Sequence, residues 1–112
     1  MIDTNRIEFK RELTRELDIE KEVVAFLNYR EGGIIYIGVD DAGKPVGVQD
    51  IDGDMLKIKD RIRMGISPSP MGLFDVTSEA TIYCQAKIVQ ARIHDYSRQH
   101  QEKGGHCEII DK

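Results

Sequence analysis

Apolar side chains recur at helical spacing in the first third of the chain and predict a helix there. The residues that set this spacing are Ile19, Val23, Phe26 and Leu27. Asp18 is a suitable N-cap, because its carboxylate can accept hydrogen bonds from the first N–H groups of a helix. The helix should end before Gly32-Gly33, which tolerate a left-handed backbone, and Asn28 near that end is expected to hydrogen-bond to loop backbone.

A second helix is predicted from about Asp52 to Arg63, in a more charged part of the chain. Its apolar stripe consists of Met55, Ile58 and Ile62, which are spaced as one face of a helix requires. The segment Ser67-Pro68-Ser69-Pro70 follows shortly afterwards. Because proline cannot continue a helix, this segment predicts the helix end.

Strands are predicted where β-branched and aromatic residues alternate or run together. These segments are residues 5–10, 34–39, 46–48, 73–76 and 87–93. Residues 40–45 have turn chemistry, so the second and third of these strands are expected to form a hairpin. The element order predicts an α+β fold with two layers, a mixed sheet and two main helices on one side of it. Residues 1–94 are assigned to this domain and residues 95–112 to a polar C-terminal tail.

Composition places limits on the class of protein. The chain has 112 residues, 40% hydrophobic and 32% charged, which is typical of one folded domain. No apolar run approaches the roughly 20 residues that cross a bilayer, and residues 1–6 lack the apolar core of a signal peptide. Cys84 and Cys107 lie far apart, which favours a reduced, cytoplasmic protein without a zinc site. The net charge of −4 is not the basic excess that many nucleic-acid binders have, so any cationic surface must be local.

Several short motifs occur in a fixed order along residues 3–75. They are Glu8-Phe9-Lys10, Ala25-Phe26-Leu27-Asn28, Gly32-Gly33, Ile35-Tyr36-Ile37-Gly38-Val39-Asp40-Asp41, Gly43 and Val46-Gly47-Val48. In this order they resemble the Schlafen AlbA-like domain, which also occurs in bacterial proteins labelled transcriptional regulators or helicase-related proteins. The resemblance implies an AlbA-like fold and binding of DNA or RNA, and DNA is the ligand that we expect here.

The same resemblance implies a second function, a metal-dependent endoribonuclease, because some animal relatives use three acidic residues for this reaction. The matching positions are Asp3, Glu8 and Asp41, with Asp40 beside the last. Such a cluster would hold Mg²⁺ or Mn²⁺, since these cations prefer oxygen ligands and can activate water. In the alternative, structural interpretation, Glu8 and Lys10 form a cross-strand ion pair and Asp40-Asp41 begin a turn. The sequence leaves open whether the protein is an enzyme.

Basic side chains are concentrated in the second predicted helix. They are Lys57, Lys59, Arg61 and Arg63, and Lys10 on the first strand is a further candidate. Residues four apart share a helix face, so two cationic stripes are expected beside the apolar face, where they could contact phosphates. A solvated helix face without a ligand is the alternative. Tyr36 could stack on a base, although its position within a strand favours the core.

These patterns predict a nucleic-acid-binding domain that acts through phosphate contacts rather than by reading bases. A metal-dependent nuclease and a protein-interaction or dimerisation module are the two alternatives. An edge strand after the predicted hairpin could pair two copies, so a homodimer is a further expectation, and no membrane partner is predicted. The glycines match neither the dinucleotide-binding nor the Walker A spacing, so no nucleotide cofactor is predicted.

Overall fold

The computed structural model of the protein describes residues 7–28, 32–67, 69–80, 87–94 and 107–109. In these residues the chain forms, in order, β1 (Ile7–Lys10), α1 (Ile19–Leu27), β2 (Gly33–Ile37), α2 (Ile51–Gly65), β3 (Ile66–Ser67), β4 (Phe74–Ala80), β5 (Lys87–Ile93) and β6 (Glu108–Ile109). Strands and helices are thus mixed along the chain, as the element order of the sequence predicted.

Four of the strands form one mixed sheet, in the order β1-β2-β5-β4. β1 runs parallel to β2, which requires the crossover that α1 supplies, while β5 is antiparallel to both of its neighbours,. The two remaining strands, β3 and β6, pair with each other in a separate two-stranded ladder. The predicted α+β fold with a mixed sheet and two main helices is confirmed.

Both helices pack on the same face of the sheet, which we call the inner face. Its fully buried strand residues include Ile35, Ile37, Val89 and Ala91, and the helices cover them with Val23, Leu27, Ile58 and Ile62. Because side chains alternate along a strand, the intervening residues lie on the opposite side. This outer face is formed by Ile7, Phe9, Ile34, Tyr36, Ile88, Gln90, Arg92, Asp75, Thr77 and Glu79.

The ends of the helices follow from short polar side chains. Asp18 caps α1 by accepting a hydrogen bond from the backbone N–H of Lys21 at 3.2 Å, as predicted. Asp50 caps α2 in the same way through Gly53 at 3.0 Å, so this helix begins just before the predicted Asp52 and continues to Gly65. In the part of the chain that the structure describes, neither helix has the length and apolar character that crossing a membrane requires.

The predicted hairpin strand at residues 46–48 is wrong. The return of the chain after β2 forms a single bridge, between Val39 and Pro45, and the N–H groups of Val46 and Gly47 both donate to the carbonyl of Gly38. Gly38 and Gly47 have φ values of 95° and 85°, so the backbone leaves the extended conformation at both points. The edge strand on which the predicted homodimer depended is therefore not formed here.

The end of the polar tail joins the core, which the tail's composition did not indicate. Cys107 is completely buried, and β6 pairs with β3 directly after it. Asn28, the C-cap of α1, holds this segment by two hydrogen bonds. Its Nδ2 donates to the carbonyl of Cys107 at 2.9 Å, and its Oδ1 accepts from the N–H of Cys107 at 2.8 Å. The prediction that Asn28 satisfies loop backbone is confirmed.

Burial of Cys107 predicts a loss of stability at alkaline pH. Burial raises the pKa of the Cys107 thiol from 9.0 to about 11, so between these values the unfolded chain ionises while the folded chain does not. Stability should therefore be fully present below pH 9 and fall as the pH rises toward 11, by up to about 2–3 kcal/mol. Urea unfolding of the wild type and of Cys107→Ala at several pH values measures this. The difference between the two should shrink with rising pH, and parallel curves would contradict the assignment.

Candidate nucleic-acid interface

Glu8, the second of the three candidate acidic residues, faces the inner side of β1 together with Lys10. Lys10 Nζ lies 3.9 Å from Glu8 Oε2 and 3.5 Å from Glu22 Oε1 on α1. The predicted ion pair between Glu8 and Lys10 is present, although it runs along one strand rather than between two. Because two carboxylates surround the ammonium group of Lys10, its charge is largely neutralised within the protein.

Asp40 and Asp41 occupy the turn that follows β2. Asp40 Oδ1 accepts hydrogen bonds from the N–H groups of Ala42 at 3.0 Å and Lys44 at 2.9 Å. This is the arrangement by which aspartate stabilises a turn. Asp41 is exposed and borders a shallow depression together with Arg11. Asp40 and Asp41 therefore begin a turn, as the structural interpretation of this pair predicted.

Of the three acidic positions implied by the resemblance, Glu8 and Asp41 lie in the described residues, and the metal site stays a prediction. Asp3 lies outside these residues, and among them no group of three or more histidine, cysteine, aspartate or glutamate side chains could hold a metal ion. Mg²⁺ and Mn²⁺ would need several oxygen ligands converging on one point. The described donors alone do not supply such a set of ligands, and we derive no metal-dependent step from them.

Arg61, one of the four cations of α2, is engaged by the protein itself. Its Nη2 lies 2.7 Å from Glu20 Oε1, and its Nε donates to Glu20 Oε2 at 3.2 Å. The same guanidinium donates to the backbone carbonyls of Thr14, at 3.1 Å, and Leu17. It thus fastens α2 to α1 and to the irregular segment before α1. Four hydrogen bonds of this guanidinium are thus made within the protein.

The other three cations of α2 are exposed and lie at two different borders of the helix. Arg63 Nη2 pairs with Asp60 Oδ1 at 2.5 Å. Lys57 and Lys59 are exposed. However, residues that are two positions apart in an α-helix are separated by roughly 200° around its axis. They therefore lie at opposite borders of the exposed side of α2. The predicted pair of stripes is reduced to two separate lysines and one paired arginine.

An open groove of about 760 Å³ lies between the segment after β1 and the start of α2. It contains two cations, Arg11 and Lys87, and three carboxylates, those of Glu12, Asp50 and Asp54. Burial raises the pKa of Asp54; the ammonium group of Lys57 opposes this rise and the Asp50 carboxylate adds to it. Because acidic groups outnumber basic ones, the groove is a poor receptor for phosphate.

Aromatic residues lie on the outer face, where the sequence analysis did not place them. The ring centroids of Phe9 and Tyr36 are 5.9 Å apart with an interplanar angle of 32°, and both side chains are half-buried. Tyr36 was expected to favour the core. The alternation of side chains along β2 could have predicted its outward position. Tyr36 lies between Ile35 and Ile37, both of which are completely buried on the inner face.

These features define a single α+β domain with helices on one side of a mixed sheet and an aromatic pair on the other. The sequence profile of the family described as "Schlafen, AlbA_2" matches residues 3–109. The chain belongs to this family of nucleic-acid-related domains. The match continues well beyond residue 75 and includes the buried Cys107, so the second half of the chain is also part of the family pattern.

A solved structure with a similar fold is the crystal structure of the DIP2311 protein from Corynebacterium diphtheriae. The TM-score is 0.54 and the sequence identity 19%, over 82% of this chain. The chain spans 18% of the length of that protein, and at this identity the likeness concerns the fold alone. A search of curated proteins finds no match to the chain.

The different surroundings of two arginines on α2 predict different effects of the same substitution. Arg61→Lys should lower the free energy of unfolding by about 1–3 kcal/mol, because lysine cannot bond Glu20 and two carbonyls at once. Arg63→Lys should change it by less than about 0.5 kcal/mol, since exposed ion pairs contribute little. Urea unfolding of both variants measures the difference. Equal effects at the two positions would show that Arg61 does not hold the helices together.

Proposed function

We propose that this chain is a nucleic-acid-binding domain, with DNA as the expected ligand, of a transcriptional regulator or helicase-related protein. Membership of the Schlafen AlbA_2 family supports the general class. The observation that carries the proposal is the division of roles on α2. Arg61 fixes the helix to the rest of the domain, while Lys57 and Lys59 are exposed along it.

Phosphate contacts by exposed lysines suit this arrangement. A lysine that neutralises a phosphate releases a condensed counterion, and this release supplies affinity that does not depend on base sequence. Because α2 is held rigidly, its lysines bind without the cost of ordering a loop. The net charge of −4 opposes long-range attraction, so we expect modest affinity that falls steeply as salt is added.

Neutralising either lysine should weaken binding and reduce its salt dependence. Lys57→Gln and Lys59→Gln should each reduce the slope of log K against log salt concentration by about 1, as loss of one phosphate contact requires. Lys21→Gln is the matched control, because Lys21 is an exposed lysine on α1 and its loss changes the net charge equally. Titration of labelled duplex and single-stranded DNA at several salt concentrations gives the slopes.

The outcomes separate this function from its alternatives. If all three variants behave alike, the binding is a general charge effect and α2 is not the contact surface. If the wild type binds no nucleic acid even at low salt, the proposed function fails and a protein-interaction module is favoured. The described residues offer no observation that specifically favours the nuclease.

A further inference from the structure

The outer face of the sheet carries apolar and aromatic side chains that have no role in the proposed phosphate contacts of α2. Both helices cover the inner face, as the single cluster of buried residues shows. On the outer face, the half nearest β1 is apolar, with Ile7, Phe9, Ile34 and Tyr36 all half-buried. Fully buried core residues of this domain have close to no exposed surface, so these side chains retain surface that the core does not use.

Four outer-face residues lie in one row across the sheet. The strand register places Phe9 beside Tyr36, Tyr36 beside Gln90, and Gln90 beside Thr77. Adjacent strands are about 4.8 Å apart, so the row combines two aromatic rings, an amide and a hydroxyl within a distance of about 15 Å. Aromatic rings stack on bases of any sequence, and amide groups hydrogen-bond to the edges of bases.

The neighbouring row contains a basic side chain on β5 and an acidic side chain on β4. Arg92 lies directly between Ile34 and Asp75 in the register, and it is exposed. On β4 the carboxylates of Asp75 and Glu79 follow, and Asp75 Oδ2 is 3.1 Å from His94 Nε2. Charge on the outer face is therefore ordered from apolar through basic to acidic. A phosphate is therefore favoured near Arg92 on β5 and repelled by the carboxylates of β4.

We propose that the outer face binds single-stranded nucleic acid, with unpaired bases stacked on Phe9 and Tyr36 and a phosphate contacted by Arg92. This inference rests on the proposed function and extends it to strandedness. In a duplex the bases are already paired and stacked on one another, so they are not available to stack on the two rings. Unpaired bases can be splayed out onto the sheet. The aromatic pair therefore selects single strands, whereas the lysines of α2 bind phosphates of either form.

Removing the rings while keeping apolar side chains tests the stacking directly. The double variant Phe9→Leu with Tyr36→Leu should lower affinity for a labelled single-stranded oligonucleotide by about tenfold or more. Its affinity for a duplex of the same length should change less than about twofold. The salt slope should not change, because no phosphate contact is lost. Phe74→Leu is the control, because Phe74 pairs with Ile93 and packs against the core on the inner side.

A second variant keeps the test valid if the double variant folds poorly by circular dichroism. Arg92→Gln alters an exposed side chain and leaves the apolar residues in place. It should weaken single-strand binding and reduce its salt slope by about 1. An unchanged affinity and slope in Arg92→Gln would count against the proposed contact.

The results distinguish this inference from the proposed function. Single-strand binding that is unaffected in the double variant overturns the stacking surface but leaves the nucleic-acid-binding domain in place. Binding of no oligonucleotide by the wild type overturns both. Sedimentation of the same proteins tests the remaining alternative, that a second copy of the chain binds to the outer face. If losing the rings dissociates a dimer without changing oligonucleotide affinity, the outer face is an interface between two copies of the chain and not a base-stacking surface.

Discussion

One constraint shapes the domain: two helices cover one face of the sheet, and they supply the apolar surface that buries it. Ile35, Ile37 and Val89 have no exposed surface because α1 and α2 lie against them. Because side chains alternate along a strand, the residues between them must point to the outer face. Tyr36 is directed to the outer face because its two neighbours are needed inside, and Phe9 follows through the register of β1 with β2. The aromatic pair is thus positioned by the formation of the core.

The same division of the sheet determines which charged groups remain for a ligand. Glu8 and Lys10 fall on the inner side, where Lys10 meets Glu22 of α1, and Arg61 lies where α2 meets the irregular segment before α1. In that segment the carbonyls of Thr14 and Leu17 each accept one backbone hydrogen bond, from Leu17 and Ile19. A guanidinium with five donors can bond to both of these carbonyls along with a carboxylate. An arginine in this position contributes to stability whatever the domain binds.

Local signals predicted the helices well because their causes are local. Asp18 caps α1 and two prolines, Pro68 and Pro70, follow α2, and both effects act within a few residues. The contact between Asn28 and Cys107 joins residues 79 positions apart, and no periodicity in the polar tail could indicate it. The error at residues 46–48 has a related origin, since apolar, β-branched residues suggested a strand while the positive φ of Gly38 and Gly47 prevented a ladder.

The basic residues of α2 were predictable as candidates, but their roles were not. The spacing of Lys57, Lys59, Arg61 and Arg63 is the same for a ligand surface as for a structural contact, and the partners of Arg61 become evident in three dimensions. Conversely, Arg92 and Gln90 carry no motif. They join the proposed surface because β5 lies beside β2, a pairing between segments more than 50 residues apart in sequence. Sequence alternation can place a residue on a face, but it cannot say which strand lies next to it.

Charge and stacking together give a physical reason for the proposed preference for unpaired nucleic acid. Acidic residues exceed basic ones, 20 to 16, so the domain as a whole does not attract a polyanion over long distances. Affinity must then come from short-range contacts that the net charge does not cancel. Stacking on aromatic rings is such a contact, and its contribution does not depend on counterion release. The lysines of α2 and the rings of the outer face lie on opposite sides of the sheet, so a straight, rigid duplex would touch one or the other. A flexible single strand can follow the protein surface, and this favours unpaired nucleic acid as the ligand that uses both.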